Sequence, residues 1–269
     1  RWINLFFINL QPSEIMKVSL IIFLARYYNK IPSTEVNHIK FMIIPIFAIF
    51  IPVSFVVNQP DLGTALLITI TGLFIIWLAG ISMKYFVFSS IFAACLMPVV
   101  IAFLKPYQKM RILTFLDPER DPLGAGYQII QSKIAVGSGG LTGKGYLQGS
   151  QSYLDYLPEK HTDFIFTLFS EEFGFIGSLL LLTIYALIIY RITKIGAQSR
   201  SNFSKLFCYG FASAFFIFVA VNMMMVLGLL PIVGSPLPIM SYGGSSMLSI
   251  MVGLGIVMSC KISSKDDIM

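Results

Sequence analysis

The 269-residue chain is 56% hydrophobic and only 12% charged, with a mean hydropathy of +0.80. Soluble domains carry about a quarter charged residues, so the composition excludes a soluble globular protein and points to the membrane. The net charge of +6 is not a sign of nucleic acid, because in a membrane chain an excess of Lys and Arg records topology.

Seven segments approach the roughly 20 residues needed to cross a hydrocarbon core. They run over 11–28, 39–57, 62–80, 85–104, 164–190, 206–229 and 241–260. The expected fold is an all-α polytopic membrane protein. It forms a single integral membrane domain over 1–269, with one large loop at 105–163. In the first span, Pro12 and Ser13 are N-terminal helix signals and Glu14 and Lys17 form an i,i+3 pair. That pair reads equally well as self-neutralising, with the helix dipole favouring Glu14, or as the polar wall of a substrate cavity. Asp61, in Asn58-Gln-Pro-Asp61-Leu-Gly-Thr64, is placed to cap the third span.

The short loops set the orientation. Arg26, Lys30, Lys40, Lys84, Arg191, Lys194, Arg200, Lys205, Lys261 and Lys265 fall in one alternate set, whereas 58–61 and 230–240 contain no Lys or Arg. The positive-inside rule therefore puts the C-terminus in the cytoplasm and the loop 105–163 outside. That loop begins with Lys105, Lys109 and Arg111, suited to lipid headgroups or, in the case of Arg111, to a bidentate grip on a diphosphate. Tyr127, Ile130 and Ile134 have the spacing of a short interfacial helix with its apolar side on the membrane. The run Gly137–Gly145 fails the P-loop pattern, because Ser138 stands where Gly is needed and Gly145 follows Lys144 in place of Ser or Thr. It reads first as a flexible connector and second as a backbone cradle for an anion.

The densest polar stretch follows. Asp155, Glu159, Lys160, His161, Thr162 and Asp163 run directly into Phe164-Ile-Phe166 at the top of the fifth span. Ionisable groups at a membrane span are costly and generally functional. Thr162 or Asp163 suits a helix cap, and an ionised Asp163 at the lip of a wet cavity also suits a general base. His161 reads as an interfacial polar residue. Leu230–Met240 has three prolines and no charge, as a rigid or re-entrant segment would. Cys95, Cys208 and Cys260 show neither disulfide nor metal-ligand spacing, so no metal site is expected. The chain starts at Arg1 in what reads as a loop, as a piece of a longer protein does.

Several strings together resemble the SEDS family (shape, elongation, division, sporulation) of peptidoglycan glycosyltransferases. They are Gln11-Pro-Ser-Glu14, Gln59-Pro-Asp-Leu-Gly-Thr64, Arg111-Ile-Leu-Thr-Phe-Leu-Asp-Pro118, Leu157-Pro-Glu-Lys-His-Thr-Asp-Phe-Ile-Phe166, Glu171-Glu-Phe-Gly174, Gly228–Pro238 and Ser241-Tyr-Gly-Gly-Ser245. The phrase Leu123–Tyr146 leans toward the elongation branch over the division branch. The resemblance implies a ten-helix fold of which this chain holds the last seven helices. It also implies polymerisation of lipid II on the outer face, with no nucleic acid involved. By the same resemblance Asp163 is the base that deprotonates the acceptor sugar. Glu14, Lys17 and Asp61 line the central cavity, Arg111 meets the diphosphate, and Thr162 and His161 flank the base. A divalent cation, Mg2+ or Mn2+, would assist departure of the diphosphate. The implied partners are an undecaprenyl-diphosphate-linked strand, a class B penicillin-binding protein and other elongation-complex membrane proteins. The rivals are a lipid II flippase, a division-type polymerase and an inactive truncated remnant.

Overall fold

Helix formation in this chain follows from apolar runs bounded by polar or Pro-rich starts. The computed structural model describes residues 2–4, 9–32, 34–103, 106–121, 124–149 and 161–266. Asp155, Glu159, Lys160 and Lys105 lie outside the described residues. Two short strands, β1 (Ile3–Asn4) and β2 (Asn9–Leu10), pair antiparallel. Nine α-helices are described: α1 (Pro12–Asn29), α2 (Ile39–Asn58), α3 (Leu62–Leu78), α4 (Met83–Phe103), α5 (Pro106–Leu116), α6 (Ala125–Ser138), α7 (Ile165–Gln198), α8 (Asn202–Val226) and α9 (Gly244–Asp266). Each of the seven segments expected to be a span is helical.

Among the described residues, α2, α7, α8 and the part of α9 over Gly244–Ser263 are long and apolar enough to cross a membrane, and α3 and Met83–Leu96 are shorter apolar helices. Glu14, Lys17 and Arg26 in α1 keep that helix out of the apolar set. Phe47, Phe50 and Phe55 on α2 and Phe88 and Phe92 on α4 are each at least 57% exposed. Lipid covers such surfaces; soluble monomers rarely carry them.

The chain divides into two compact units. The first comprises 1–81, 181–220 and 234–269, and within it α1 packs against α2, α3 and α9. Its core holds Leu20, Ile21, Leu24, Ile68 and Ile75, all nearly or fully buried. Phe203, Phe207, Phe211 and Phe215 recur every four residues along α8; the first three stack in turn, and Phe215 is tilted against Phe211. The Tyr185 hydroxyl donates to the Pro238 carbonyl at 2.7 Å, which ties the Pro-rich segment to α7. Cys208 and Cys260 are buried free cysteines.

Asp61 caps α3 as expected, accepting the Thr64 N–H at 3.1 Å. Asp61→Ala is expected to cost about 1 kcal/mol, the usual value of a lost cap. Reversible denaturation in mixed micelles measures this, and no change would mean that the cap is not limiting.

The second unit comprises 82–180 and 221–233. Here α5, a short 3-10 turn (Pro118–Arg120) and α6 pack together. The packed face of α6 is Gly126, Ile129, Ser132 and Ala135, whereas Ile134 is 49% exposed. The helix is where Tyr127, Ile130 and Ile134 predict it, and its packed face is not the one those residues mark. On that packed face Gly126 allows close approach to the Pro118 backbone, and Ile129 supplies the buried apolar contact.

Helix α7 has 34 residues and would span about 50 Å at 1.5 Å per residue, well beyond a hydrocarbon core. It breaks at Gly174, which has φ 63° and ψ −160°, a conformation essentially restricted to glycine. The break removes ladder partners on both sides of it. The Gly-rich run fills the gap: Lys144 N–H donates to Glu171 C=O and Gly145 N–H to Glu172 C=O, each at 3.0 Å. In return Phe175 N–H donates to Gly140 C=O at 2.9 Å and Ile176 N–H to Leu141 C=O at 3.1 Å. A β-carbon at Gly143 would lie 2.0 Å from the Glu172 carbonyl oxygen, so the contact requires glycine there. The flexible-connector reading is therefore corrected. The glycines are present for close backbone approach, and 139–145 is a strap bonded across a broken helix.

Candidate functional site

Residues 161–164 form a turn just before α7, and it carries His161, Thr162 and Asp163. His161 is exposed, Thr162 and Asp163 are half-buried, and Phe164 is buried at 1% exposure. The apolar anchor Phe164 thus sits in the core while the polar residues ahead of it reach the surface. The Asp163 main-chain carbonyl accepts a hydrogen bond from Asn222 Nδ2 at 2.8 Å. Asn222 is fully buried near the end of α8. The bond fixes the backbone of the turn without using the Asp163 carboxylate.

The same short segment, 221–233, holds two other parts of this unit. Arg111 on α5 is exposed and donates through Nη1 to the Ile232 carbonyl at 3.5 Å. Ser132 on α6 lies 2.8 Å from the carbonyl of Val226, the last residue of α8, and so satisfies an otherwise orphan helix-end acceptor. One segment therefore frames the turn of Asp163, the helix of Arg111 and the helix α6. An arginine has five N–H donors in a planar fork, so one long bond to a carbonyl leaves most of that capacity for an anion.

Behind the turn, the strap adds a charge pair. Lys144 Nζ lies 2.6 Å from Glu171 Oε1, with the Glu171 side chain fully buried and 30% of the Lys144 side chain exposed. Glu171 lies about two helical turns after Asp163, at 3.6 residues per turn.

The other sequence-predicted residues belong to the first unit. Lys17 Nζ contacts Glu14 Oε1 at 2.8 Å, both side chains are at least nine-tenths buried, and Lys17 lies 4.4 Å over the Phe218 ring. They line a cavity with Phe211, Phe215, Pro238 and Ser249 that encloses about 20 Å³, room for a water or two and no more. Within this unit their immediate role is mutual neutralisation. Asp61 is occupied as the cap of α3.

Sequence reasoning missed three features of the site. Asn222 carries a signal in hindsight: it is a lone amide in the apolar run Val219–Val226, where burial demands a hydrogen bond. The Lys144–Glu171 pair and the seat of Arg111 on Ile232 join residues 27 and 121 positions apart, and no local pattern encodes them. Among the described residues, no group of three or more His, Cys, Asp or Glu side chains could hold a metal ion.

The family model described as Cell cycle protein, for FtsW, RodA and SpoVE, matches residues 1–266. The chain is 46% identical over 263 residues to the peptidoglycan glycosyltransferase MrdB of Escherichia coli strain K12, covering 96% of this chain and 70% of that protein. It is 36% identical over 258 residues to the stage V sporulation protein E of Bacillus subtilis strain 168, again covering 96% and 70%. Among solved structures, a chain from a peptidoglycan synthase complex that coordinates polymerization and crosslinking matches with a TM-score of 0.81 and 32% identity, covering 98% of this chain and 73% of that one. The rod shape determining protein RodA of Thermus thermophilus matches with a TM-score of 0.65 and 26% identity, covering 95% and 67%.

Proposed function

The chain belongs to the FtsW/RodA/SpoVE family of cell cycle proteins, and from that premise we propose that it polymerises lipid II into glycan strands on the outer face of the cytoplasmic membrane during elongation. It is a multi-pass membrane protein and a peptidoglycan glycosyltransferase. In this reading seven helices span the bilayer, the loop 105–163 faces outward, and the C-terminus is cytoplasmic. The distribution of Lys and Arg among the short loops supports that orientation.

Asp163 is the general base. Its carboxylate takes the proton of the acceptor's 4-hydroxyl, and the oxygen attacks the anomeric carbon of the donor strand. The bond to undecaprenyl diphosphate breaks with inversion, and the diphosphate leaves. Arg111 grips that leaving group with two parallel N–H donors. Thr162 and His161 contact substrate on the turn of the base. A class B penicillin-binding protein is the partner, a reading supported by the likeness to a chain of a peptidoglycan synthase complex.

The observation that carries the catalytic reading is the main-chain anchoring of Asp163 by buried Asn222. It pre-orients an acidic residue at a half-exposed position, as a general base requires. The rival, a flippase, is disfavoured because it should use charges reachable from both faces, whereas in this orientation the ionisable cluster that ends at Asp163 lies on the outer side. The test is full-length protein with its penicillin-binding partner, supplied with purified lipid II, with glycan length read on a gel. Polymer is expected; translocated lipid II without polymer would establish the transporter.

Arg111→Lys is expected to lower the polymerisation rate roughly tenfold, because an ammonium group cannot reproduce a bidentate fork. Turnover at the wild-type rate would remove Arg111 from the diphosphate site.

A further inference from the structure

A second, larger cavity lies in the first unit, at the C-terminal end of α1 and the N-terminal end of α8. It encloses about 570 Å³ and is lined by Tyr28, Asn29, Lys30, Asn202, Lys205 and Tyr209, among others. The glycosyl-transfer chemistry proposed above uses none of these residues. Three observations point to an anionic occupant. Lys30 and Lys205 line the cavity, and neither has an ion-pair partner among the described residues. Glu35, the acidic residue on the adjoining loop, is not part of the lining. Tyr28 is only 4% exposed, and its hydroxyl has no hydrogen-bond partner among the described residues. An unmet buried donor is costly, and a ligand oxygen in the cavity would satisfy it.

The rest of the lining agrees. The Asn29 side chain accepts the Phe203 N–H at 3.0 Å, which fixes the end of α1 to the first turn of α8. The positive end of the α8 dipole then faces the same space. The volume falls in the range of small-ligand sites.

We propose that this cavity is a binding site for a phosphate group, supplied either by an anionic phospholipid headgroup or by a soluble phosphate. Lys30 and Lys205 neutralise its charge, and the Tyr28 hydroxyl donates to one of its oxygens. Under the positive-inside orientation the cavity opens at the cytoplasmic leaflet, where basic pockets between membrane helices take lipid phosphates.

The test uses purified full-length protein in two arms: phosphatidylglycerol in mixed micelles, followed by native mass spectrometry, and labelled inorganic phosphate alone, followed by equilibrium dialysis. Lys30→Gln/Lys205→Gln is expected to weaken binding about 25-fold in whichever arm shows it, at roughly fivefold per lysine near the membrane surface. Tyr28→Phe is expected to weaken it severalfold with the charge unchanged. The arm that binds identifies the source. The control Lys40→Gln/Lys84→Gln removes the same charge from the same set of loops and is expected to leave binding intact. Equal loss in the control, no binding in either arm, or undiminished binding by the Lys30/Lys205 variant would overturn the site. None of these results depends on polymerisation, so failure here and failure of the catalytic reading are separable.

Discussion

Asp163→Asn is expected to reduce lipid II polymerisation about 10²–10⁴-fold, the contribution typical of a positioned general base, while leaving the protein folded. The substitution keeps the shape of the side chain and removes both its charge and its basicity. The turn around it is held by other groups. Phe164 is buried at 1% exposure, and the Asn222 amide donates to the main-chain carbonyl of residue 163, a bond indifferent to the side chain. Asparagine is also as good as aspartate at a helix start, so any capping role survives the change. The two roles read from the sequence, cap and base, are thus separated by one atom. The measurements are glycan length on a gel and a denaturation midpoint on the same preparation. Lost polymer with an unchanged midpoint supports the base. Polymer at the wild-type rate would sink the assignment. Polymer retained with translocation lost would support the transporter.

What the sequence revealed of this fold is what local physics dictates. Apolar runs of membrane length located the helices because an unpaired backbone is not tolerated in lipid, and the seven segments are helical within a few residues of their expected bounds, apart from α7 and α9, which run on to Gln198 and Asp266. The Glu14–Lys17 pair and the Asp61 cap each depend on residues three apart, so their geometry is implicit in the helix itself. Helix α5 was not legible. Its run Pro106-Tyr-Gln-Lys-Met-Arg111 mixes charge with apolar residues and reads as loop. The strap was misread for a related reason. Glycine content signals either freedom or close approach, and the choice depends on a partner, the break at Gly174, nearly thirty residues further along the chain. The frame of the candidate site is of the same kind. Segment 221–233 holds Asp163 and Arg111 through Asn222 and Ile232, contacts that exist only once the chain has folded back. Local pattern therefore proposes candidates for the chemistry, whereas the residues that position them are invisible to it.

Lys144→Met is the stability change with the largest expected cost. It leaves the Glu171 carboxylate, whose side chain is fully buried, without the ammonium 2.6 Å away. Removing one partner of a buried pair costs about 3–5 kcal/mol, because the remaining charge stays desolvated. The value here should fall toward the lower end of that range, since 30% of the Lys144 side chain is exposed and water can approach the site. The main-chain bonds of the strap are unaffected by the substitution, so the loss reports the charge and not the backbone. Glu171→Gln added to Lys144→Met removes the stranded charge and is expected to restore most of the stability, as replacement of both partners of a buried pair often does. If the pair instead acts only by geometry, Glu171→Gln will give no rescue. Denaturation in mixed micelles on the single and double variants distinguishes the two, and a single-variant loss below about 1 kcal/mol, the scale of a surface pair, would show that water already solvates Glu171. The functional consequence follows from position. The strap closes the break in the helix that opens just after Asp163, so Lys144→Met should also lower polymerisation, and the double variant should recover activity in step with stability.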